Sequence, residues 1–193
     1  MNSLLRIVPL ALTLWLVACT VGVEPPEHPY ASSRGPIVLA VEEVIFEDRS
    51  TPPSEGNFID RRRSRELAER AQSFLKSRLQ AGGGSGVARV VVEKAVLLER
   101  PKPEQAGYLD PVVREADRVL DGSVAVRIAI EDWSGIERAF ARAEVARLRP
   151  ILENTSVASR DAEAKRLVED LVAQLDEALQ KSAEDNLSAF LAF

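Results

Sequence analysis

Residues 123–131 alternate strictly between branched apolar side chains and smaller or charged ones, and this pattern constrains the fold more than any other in the chain. The apolar set is Val124, Val126, Ile128 and Ile130. Because successive side chains of a β-strand point to opposite faces, the pattern predicts a strand with one face on the core and the other toward solvent. Residues 132–135, Asp-Trp-Ser-Gly, then predict a tight turn.

Residues 137–149 fit two kinds of structure. Their alanines and arginines favour a helix by propensity. Phe140, Arg142 and Glu144 nevertheless alternate with alanines, and the segment directly follows a hairpin turn. The alternation and the turn together favour a strand.

Two amphipathic helices are expected. Asp60 can cap the first, which ends at the glycine run of residues 82–86, and its apolar stripe consists of Leu67, Ala71, Phe74, Leu75 and Leu79. Ser159 starts the second, longer helix, whose stripe consists of Leu167, Val168, Leu171, Val172, Leu175, Ala178 and Leu179.

Further strands are expected at residues 37–46 and 87–98, with Pro101 and Pro103 ending the latter and residues 102–118 irregular. This order of elements predicts an α+β fold, a two-layer sandwich with about four mainly antiparallel strands and two helices on one face. The chain end is unusually apolar, at Leu187, Phe190, Leu191 and Phe193. We expect it to dock on the core, with a partner or membrane contact as the alternative.

The first 18 residues have the three-part form of an export signal. A single positive charge, Arg6, precedes an apolar run over residues 7–18 that leads to Cys19. The run contains Pro9 and is soon followed by Glu24. It is therefore too short to span a bilayer, which takes about 20 apolar residues, and we expect residues 1–18 to be removed.

The junction Leu16-Val17-Ala18-Cys19 resembles the lipobox of bacterial lipoproteins. The resemblance implies cleavage before Cys19, whose thiol is joined to diacylglycerol, and the neutral Thr20 implies transfer to the periplasmic face of the outer membrane. Cys19 is the only cysteine, and lipidation gives it a use that an unpaired thiol in an exported protein lacks. The alternative is an ordinary secretory signal in which the cysteine is incidental.

Residues 19–36 predict a spacer between this lipidated cysteine and a folded domain at residues 37–193. The spacer contains Pro25, Pro26, Pro29 and Pro36 among polar residues. Such a composition cannot bury a core and favours extended conformations. At about 3 Å per residue, it can hold the domain some tens of ångströms from the bilayer.

The side-chain inventory argues against several functions. The only histidine, His28, lies in the spacer. The folded domain therefore has no histidine for a Ser-His-Asp triad or a multi-histidine metal site, and we expect no catalytic residue, metal or cofactor. The net charge of −5 argues against a nucleic-acid partner. The glycine run at residues 82–86 follows a helix and precedes a strand, which is the reverse of the order in phosphate-binding loops.

Three pairs of neighbouring acidic residues leave a hydrolase open. They are Glu42 with Glu43, Glu47 with Asp48, and Glu131 with Asp132. A glycosidase needs two carboxylates about 5 to 10 Å apart across a cleft. The simpler interpretation is solvated charge at strand ends.

The one dense positive cluster is Arg61, Arg62, Arg63 and Arg65, at the start of the first helix. Cations are slightly unfavourable there because of the helix dipole, so the cluster is a candidate contact for an anionic lipid or an acidic partner, with a solvated helix face as the alternative. Trp133 and Tyr108 are candidate exposed aromatic contacts, or else plugs at the core edge.

These observations predict a non-catalytic lipoprotein of the outer membrane that binds a protein or lipid partner of the cell envelope. In size and layout the chain looks like the auxiliary lipoproteins of envelope transport systems, including those that serve lipid-transporting ABC systems. Two alternatives stay open. One is a periplasmic hydrolase acting on peptidoglycan or lipid, and the other is a structural partner of an outer-membrane barrel.

Overall fold

A computed structural model describes residues 34–102 and 116–192 of the chain. The expected signal peptide, Cys19, most of the spacer, Tyr108 and Phe193 lie outside these residues. The elements are β1 (Ile37–Leu39), β2 (Glu43–Asp48), α1 (Phe58–Arg78), β3 (Leu79–Ala81), β4 (Val87–Pro101), β5 (Ala116–Glu131), β6 (Glu137–Leu152) and α2 (Val157–Asn186), followed by a short 3-10 helix (Ser188–Phe190).

Four strands form the main sheet in the order β2-β4-β5-β6, in which β2 runs parallel to β4 and the other neighbours are antiparallel. β1 and β3 form a separate parallel pair. Both helices share one core with the sheet, so the predicted α+β fold is confirmed. Its fully buried large side chains include Phe74, Leu75, Leu97, Leu120, Ile128, Leu171 and Leu175.

The β5–β6 hairpin confirms the expected turn at residues 132–135 and the strand interpretation of residues 137–149. β6 is an edge strand, and the backbone N–H of Arg142 points outward to the Ser182 hydroxyl of α2 at 3.2 Å. Since Pro150 lies eight residues further along the same regular register, its missing N–H also faces outward. The proline therefore costs no hydrogen bond to β5.

The expected single strand at residues 37–46 is wrong in its extent. The Val41 N–H donates to the Leu39 carbonyl at 2.8 Å, and this tight turn separates β1 from β2. β1 then pairs with β3 while β2 pairs with β4. The apolar pattern indicates burial on both faces but carries no signal for a change of partner strand.

Both helices begin earlier than expected. Asn57 caps α1, and Asp60 is the third helical residue, whose carboxylate accepts the Asn57 N–H at 2.9 Å in a reciprocal capping box. Ser156 caps α2. The end of α1 also differs, because the chain becomes extended at Leu79 to pair with Ile37 before it reaches the glycine run.

The start of β5 differs from the sequence-based expectation, whereas the chain end agrees with it. β5 begins at Ala116, so residues 116–118 are strand and not irregular. The apolar chain end docks as expected, with Leu187 fully buried and Leu191 bridged to Leu39. The Ala192 N–H donates to the Val38 carbonyl at 2.8 Å.

The long elements define two ends of the domain. We call the end at which residue 34 enters the domain the tether end. There, Arg78 at the end of α1 donates to the Gly35 carbonyl. The β3–β4 loop and the β5–β6 turn also meet at this end, where Gly86 lies against Glu131. At the far end lie the first turns of both helices. Because α1 has 21 residues, these ends are about 30 Å apart along it.

Candidate interaction surfaces

The structure separates the four arginines of the predicted cluster, all of which lie at the far end. Arg63 turns inward and is buried, with its Nη2 donating to Asp161 of α2 at 2.7 Å. This hydrogen bond lowers the pKa of the Asp161 carboxyl. Arg63 thus joins the two helices, a role that its position in a run of arginines does not reveal.

The other three arginines of the cluster are exposed. Arg61 donates to the Gly56 carbonyl at 3.1 Å, and Arg62 lies 3.6 Å from Glu66 one helical turn away. Arg65 makes no hydrogen bond or ion pair within the described part of the chain. The cations of Arg61 and Arg65 therefore face solvent without a carboxylate among the described residues.

Glu99 holds the base of this end together. Its carboxylate lies 2.8 Å from Arg118 Nε, 3.0 Å from Arg160 Nη1 and 3.6 Å from Arg63 Nη1. Its side chain is only 12% exposed. One carboxylate thus connects α1, β5 and α2. These ion pairs fix the relative positions of the elements that carry the exposed groups of the far end.

Exposed apolar side chains lie at the same end of the domain as the arginines. Phe58 is 72% exposed and Val157 is 74% exposed, and each is the first residue of its helix. Ile59 and Leu152 are also exposed at this end. The exposure of Phe58 could have been predicted from the sequence. It precedes Leu67 by nine residues, which places it on the side of α1 opposite the apolar stripe. We define the far-end surface as Phe58, Ile59, Arg61, Arg65, Leu152 and Val157.

A groove of about 680 Å³ runs between α1 and α2 beside this surface, over Leu97 of β4. Its walls carry charges of both signs, from Arg62, Glu66, Glu69, Arg70, Lys165 and Glu169. Arg63–Asp161 crosses between the helices at one level and Arg78–Asp176, at 2.7 Å, crosses 15 residues further along both. The two bridges therefore hold the parallel helices in a fixed register relative to each other.

Two of the three predicted acidic pairs have members bonded to arginines, and the third, Glu42 with Glu43, is exposed. Arg89 bonds to Glu47 and also to Glu131, the latter at 3.1 Å. The hydrogen bonds from Arg89 and then Arg49 lower the pKa of Glu47. Hydrogen bonds from the turn backbone, first from Ile136, lower the pKa of Asp132. A general acid needs the opposite shift, so these two carboxyls are unsuited to that role.

The β5–β6 turn presents the apolar side chains of the tether end. Trp133 is 63% exposed and Ile136 is 58% exposed. The Asp132 carboxylate accepts the N–H groups of Ser134 and Ile136 and pairs with Arg138 at 2.9 Å. Of the two predicted roles for Trp133, the structure thus favours an exposed contact over a plug at the core edge.

Within residues 34–102 and 116–192, no group of three or more possible metal ligands comes together. No helix in the same residues is both long and apolar enough to cross a bilayer.

No protein-family model matches the chain, and no curated protein matches its sequence. Among solved structures, it is similar to a minor lipoprotein from Acinetobacter baumannii at 11% identity and a TM-score of 0.38, over 80% of this chain and 98% of the other. It is also similar to a protein of the DUF330 family from Xanthomonas campestris at 9% identity and a TM-score of 0.32, over 79% and 92% of the two chains. With these TM-scores, neither similarity assigns a family or a function.

Proposed function

We propose that this chain is a lipid-anchored protein of the bacterial outer membrane that acts by binding an envelope protein and not by catalysis. The observation that carries the anchor is the Leu16-Val17-Ala18-Cys19 junction, where the only cysteine of the chain stands at the point of signal cleavage. Two or more acyl chains on that residue hold a protein firmly to a bilayer. The neutral Thr20 supports the outer membrane as the destination.

The observation that supports partner binding is the composition of the far-end surface. Exposed Phe58 and Val157 give this end apolar surface of the kind that marks protein interfaces, and Arg61 and Arg65, on the same helix as Phe58, fit acidic groups on a partner. The lowered pKa values of Glu47 and Asp132 disfavour these two carboxyls as the general acid of a hydrolase.

Replacing the acyl acceptor tests the anchor. Cys19→Ala is expected to abolish labelling by radioactive palmitate and to release the protein from the membrane fraction, whereas Thr20→Ser, one residue on, leaves both unchanged. Continued labelling of Cys19→Ala would refute the lipobox.

Partner binding is tested by crosslinking in intact cells. A photo-crosslinking amino acid at Phe58 is expected to give a discrete adduct with an envelope protein, and Arg61→Glu with Arg65→Glu is expected to abolish it. The matched control is Arg142→Glu with Lys181→Glu, exposed cations of β6 and α2 that lie outside both the far-end surface and the β5–β6 turn. Equal loss of the adduct in both pairs, or no adduct at all, would contradict binding at the far end.

A further inference from the structure

The tip of the β5–β6 hairpin combines features that suit the interface of a bilayer. Trp133 and Ile136 project from it and are both more than half exposed. Tryptophan is amphipathic and favours the headgroup level, where its ring meets apolar groups and its N–H meets polar ones. The side chains of Asp132 and Arg138 pair with each other, so the tip bears no isolated charge at that point.

Four N–H groups of the turn are bonded within it. Gly135 adopts a φ of 76° and donates its N–H to the Asp132 carbonyl at 2.8 Å, while the Asp132 N–H donates to the Ile136 carbonyl at 3.0 Å. The N–H groups of Ser134 and Ile136 are bonded to the Asp132 carboxylate. N–H groups that already have partners lose little when water is partly withdrawn, which suits a position among the lipid headgroups, where the remaining carbonyls and the Asp132–Arg138 pair stay in polar surroundings.

The tip also lies at the end of the domain where the chain leads toward Cys19. Ile37 pairs with Leu79, and three residues later the chain reaches the loop in which Gly82 donates to the Leu39 carbonyl at 2.7 Å. That loop continues to Gly86, which lies against Glu131 at the base of the tip. Fifteen residues, 19–33, precede Arg34, and even fully extended they reach no more than about 50 Å.

We infer that Trp133 and Ile136 enter the headgroup region of the bilayer that holds the lipidated Cys19, and that this second contact fixes the orientation of the domain. The inference rests on the proposed lipid anchor. A weak contact suffices, because the tether makes the encounter intramolecular and raises the effective concentration of the tip at the surface. The far-end surface then points away from the membrane, toward a partner in the periplasm.

The chain supplies its own probe for this contact. Its two tryptophans are Trp15 and Trp133, and cleavage before Cys19 removes the first. In the lipidated protein reconstituted into phosphatidylethanolamine–phosphatidylglycerol vesicles, Trp133 fluorescence is expected to shift to shorter wavelength. Replacing part of the lipid by one with bromines near the headgroup is expected to quench more than half of the emission.

Two variants provide the controls. Trp133→Phe combined with Phe58→Trp moves the only indole to an equally exposed residue at the far end, and its emission is expected to stay unquenched on the same vesicles. Ile136→Asp is expected to lower the quenching of Trp133 at least twofold while circular dichroism stays unchanged, since the Ile136 side chain is exposed.

The outcomes separate the inference from the anchor on which it rests. Protein that floats with the vesicles but shows no quenching of Trp133, or equal quenching of the indole at residue 58, overturns the membrane contact and leaves the anchor standing. Protein that fails to float overturns the anchor and the contact together.

Discussion

The two ends of the domain expose similar apolar side chains in different electrostatic settings. At the tether end, Trp133 and Ile136 stand on a turn whose carboxylate, Asp132, pairs with Arg138 and accepts two of the turn's N–H groups, while Glu42 and Glu43 are exposed beside Gly86. At the far end, Phe58 and Val157 are exposed at the same end as Arg61 and Arg65, which face solvent without a carboxylate partner in the described residues. The first setting suits lipid and the second suits an acidic protein, so exposure alone does not reveal the partner.

The helices connect these ends through two arginine–aspartate bridges that differ in burial. The Arg78 side chain is 2% exposed and its partner Asp176 is 13% exposed. The Arg63 side chain is 7% exposed, but Asp161 is 42% exposed. The tether-end bridge therefore has less access to water, and it also holds the Gly35 carbonyl where the described chain begins.

The largest expected effect is at the tether-end bridge. Arg78→Ala should lower the free energy of unfolding by about 4 kcal/mol, because it removes a buried guanidinium that bonds to Asp176, Gln180 and the Gly35 carbonyl. Urea denaturation followed by circular dichroism measures this loss. Arg78→Met combined with Asp176→Leu removes both charges at similar volume and should recover at least half of it; no recovery would show that the bridge is not the cause.

The far-end bridge should matter less. Arg63→Ala is expected to cost about 2 kcal/mol by the same measurement, because water can reach the carboxylate of Asp161 once its partner is gone. Arg65→Ala, two residues along α1 and exposed, is the matched control and should change the free energy by less than about 0.5 kcal/mol. A larger loss for Arg63→Ala than for Arg78→Ala would reverse the proposed order.

Acid should weaken both ends. The pKa values of Asp161 and Glu163 at the far end and of Asp132 at the tether end are lowered in the folded protein by hydrogen bonds from Arg63, from Arg149 and from the turn backbone, respectively. A lowered folded-state pKa gives stability that is present above the pKa of the unfolded chain, about 4, and is lost as the pH falls through the folded-state value.

The urea midpoint should therefore change little between about pH 7 and pH 5 and fall steadily below about pH 4. Asp161→Asn should start from a lower midpoint at neutral pH and lose less of it in acid. A variant that loses as much as the wild type on acidification would exclude Asp161 as a contributor.

The smallest expected effect concerns the hairpin tip. Gly135 has a φ of 76°, which costs a residue with a Cβ about 1 kcal/mol, and Gly135→Ala should destabilise the protein by that amount. Ser134→Ala leaves the turn backbone intact and should have no measurable effect. Thermal unfolding of the two variants distinguishes them, and equal midpoints would mean that the turn relaxes without strain.

The sequence predicted most of the architecture because the periodicities are strong. The stripe through Leu167, Leu171 and Leu175 and the branched side chains of residues 123–131 each correspond to a buried face. The expected solvent face of that strand is wrong in part, because Ser123, Ala125 and Ala129 are buried as well: β5 is a central strand, and its small side chains are covered. The division of residues 37–46 into β1 and β2 was not predicted, because which strand pairs with which depends on contacts distant in sequence. The inward turn of Arg63 was missed for the same reason, since Asp161 lies 98 residues away.

The two surfaces were predicted unequally. The arginine cluster and Trp133 are visible in the sequence as unusual side chains, whereas Val157 is a common apolar residue beside a helix cap. Only the fold brings Phe58 and Val157 to the same end of the molecule and carries Trp133 to the other. The anchor, by contrast, is a matter of sequence alone, because Cys19 lies outside the described residues.

The membrane contact of the tip and the outward direction of the far-end surface both depend on the acylated cysteine, so the most direct test is the intact mass of the protein purified from its native membrane. We expect a chain of residues 19–193 that carries a diacylglyceryl group and an amide-linked acyl chain on Cys19. A mass that retains residues 1–18, or one that shows Cys19 as a free thiol, would contradict it.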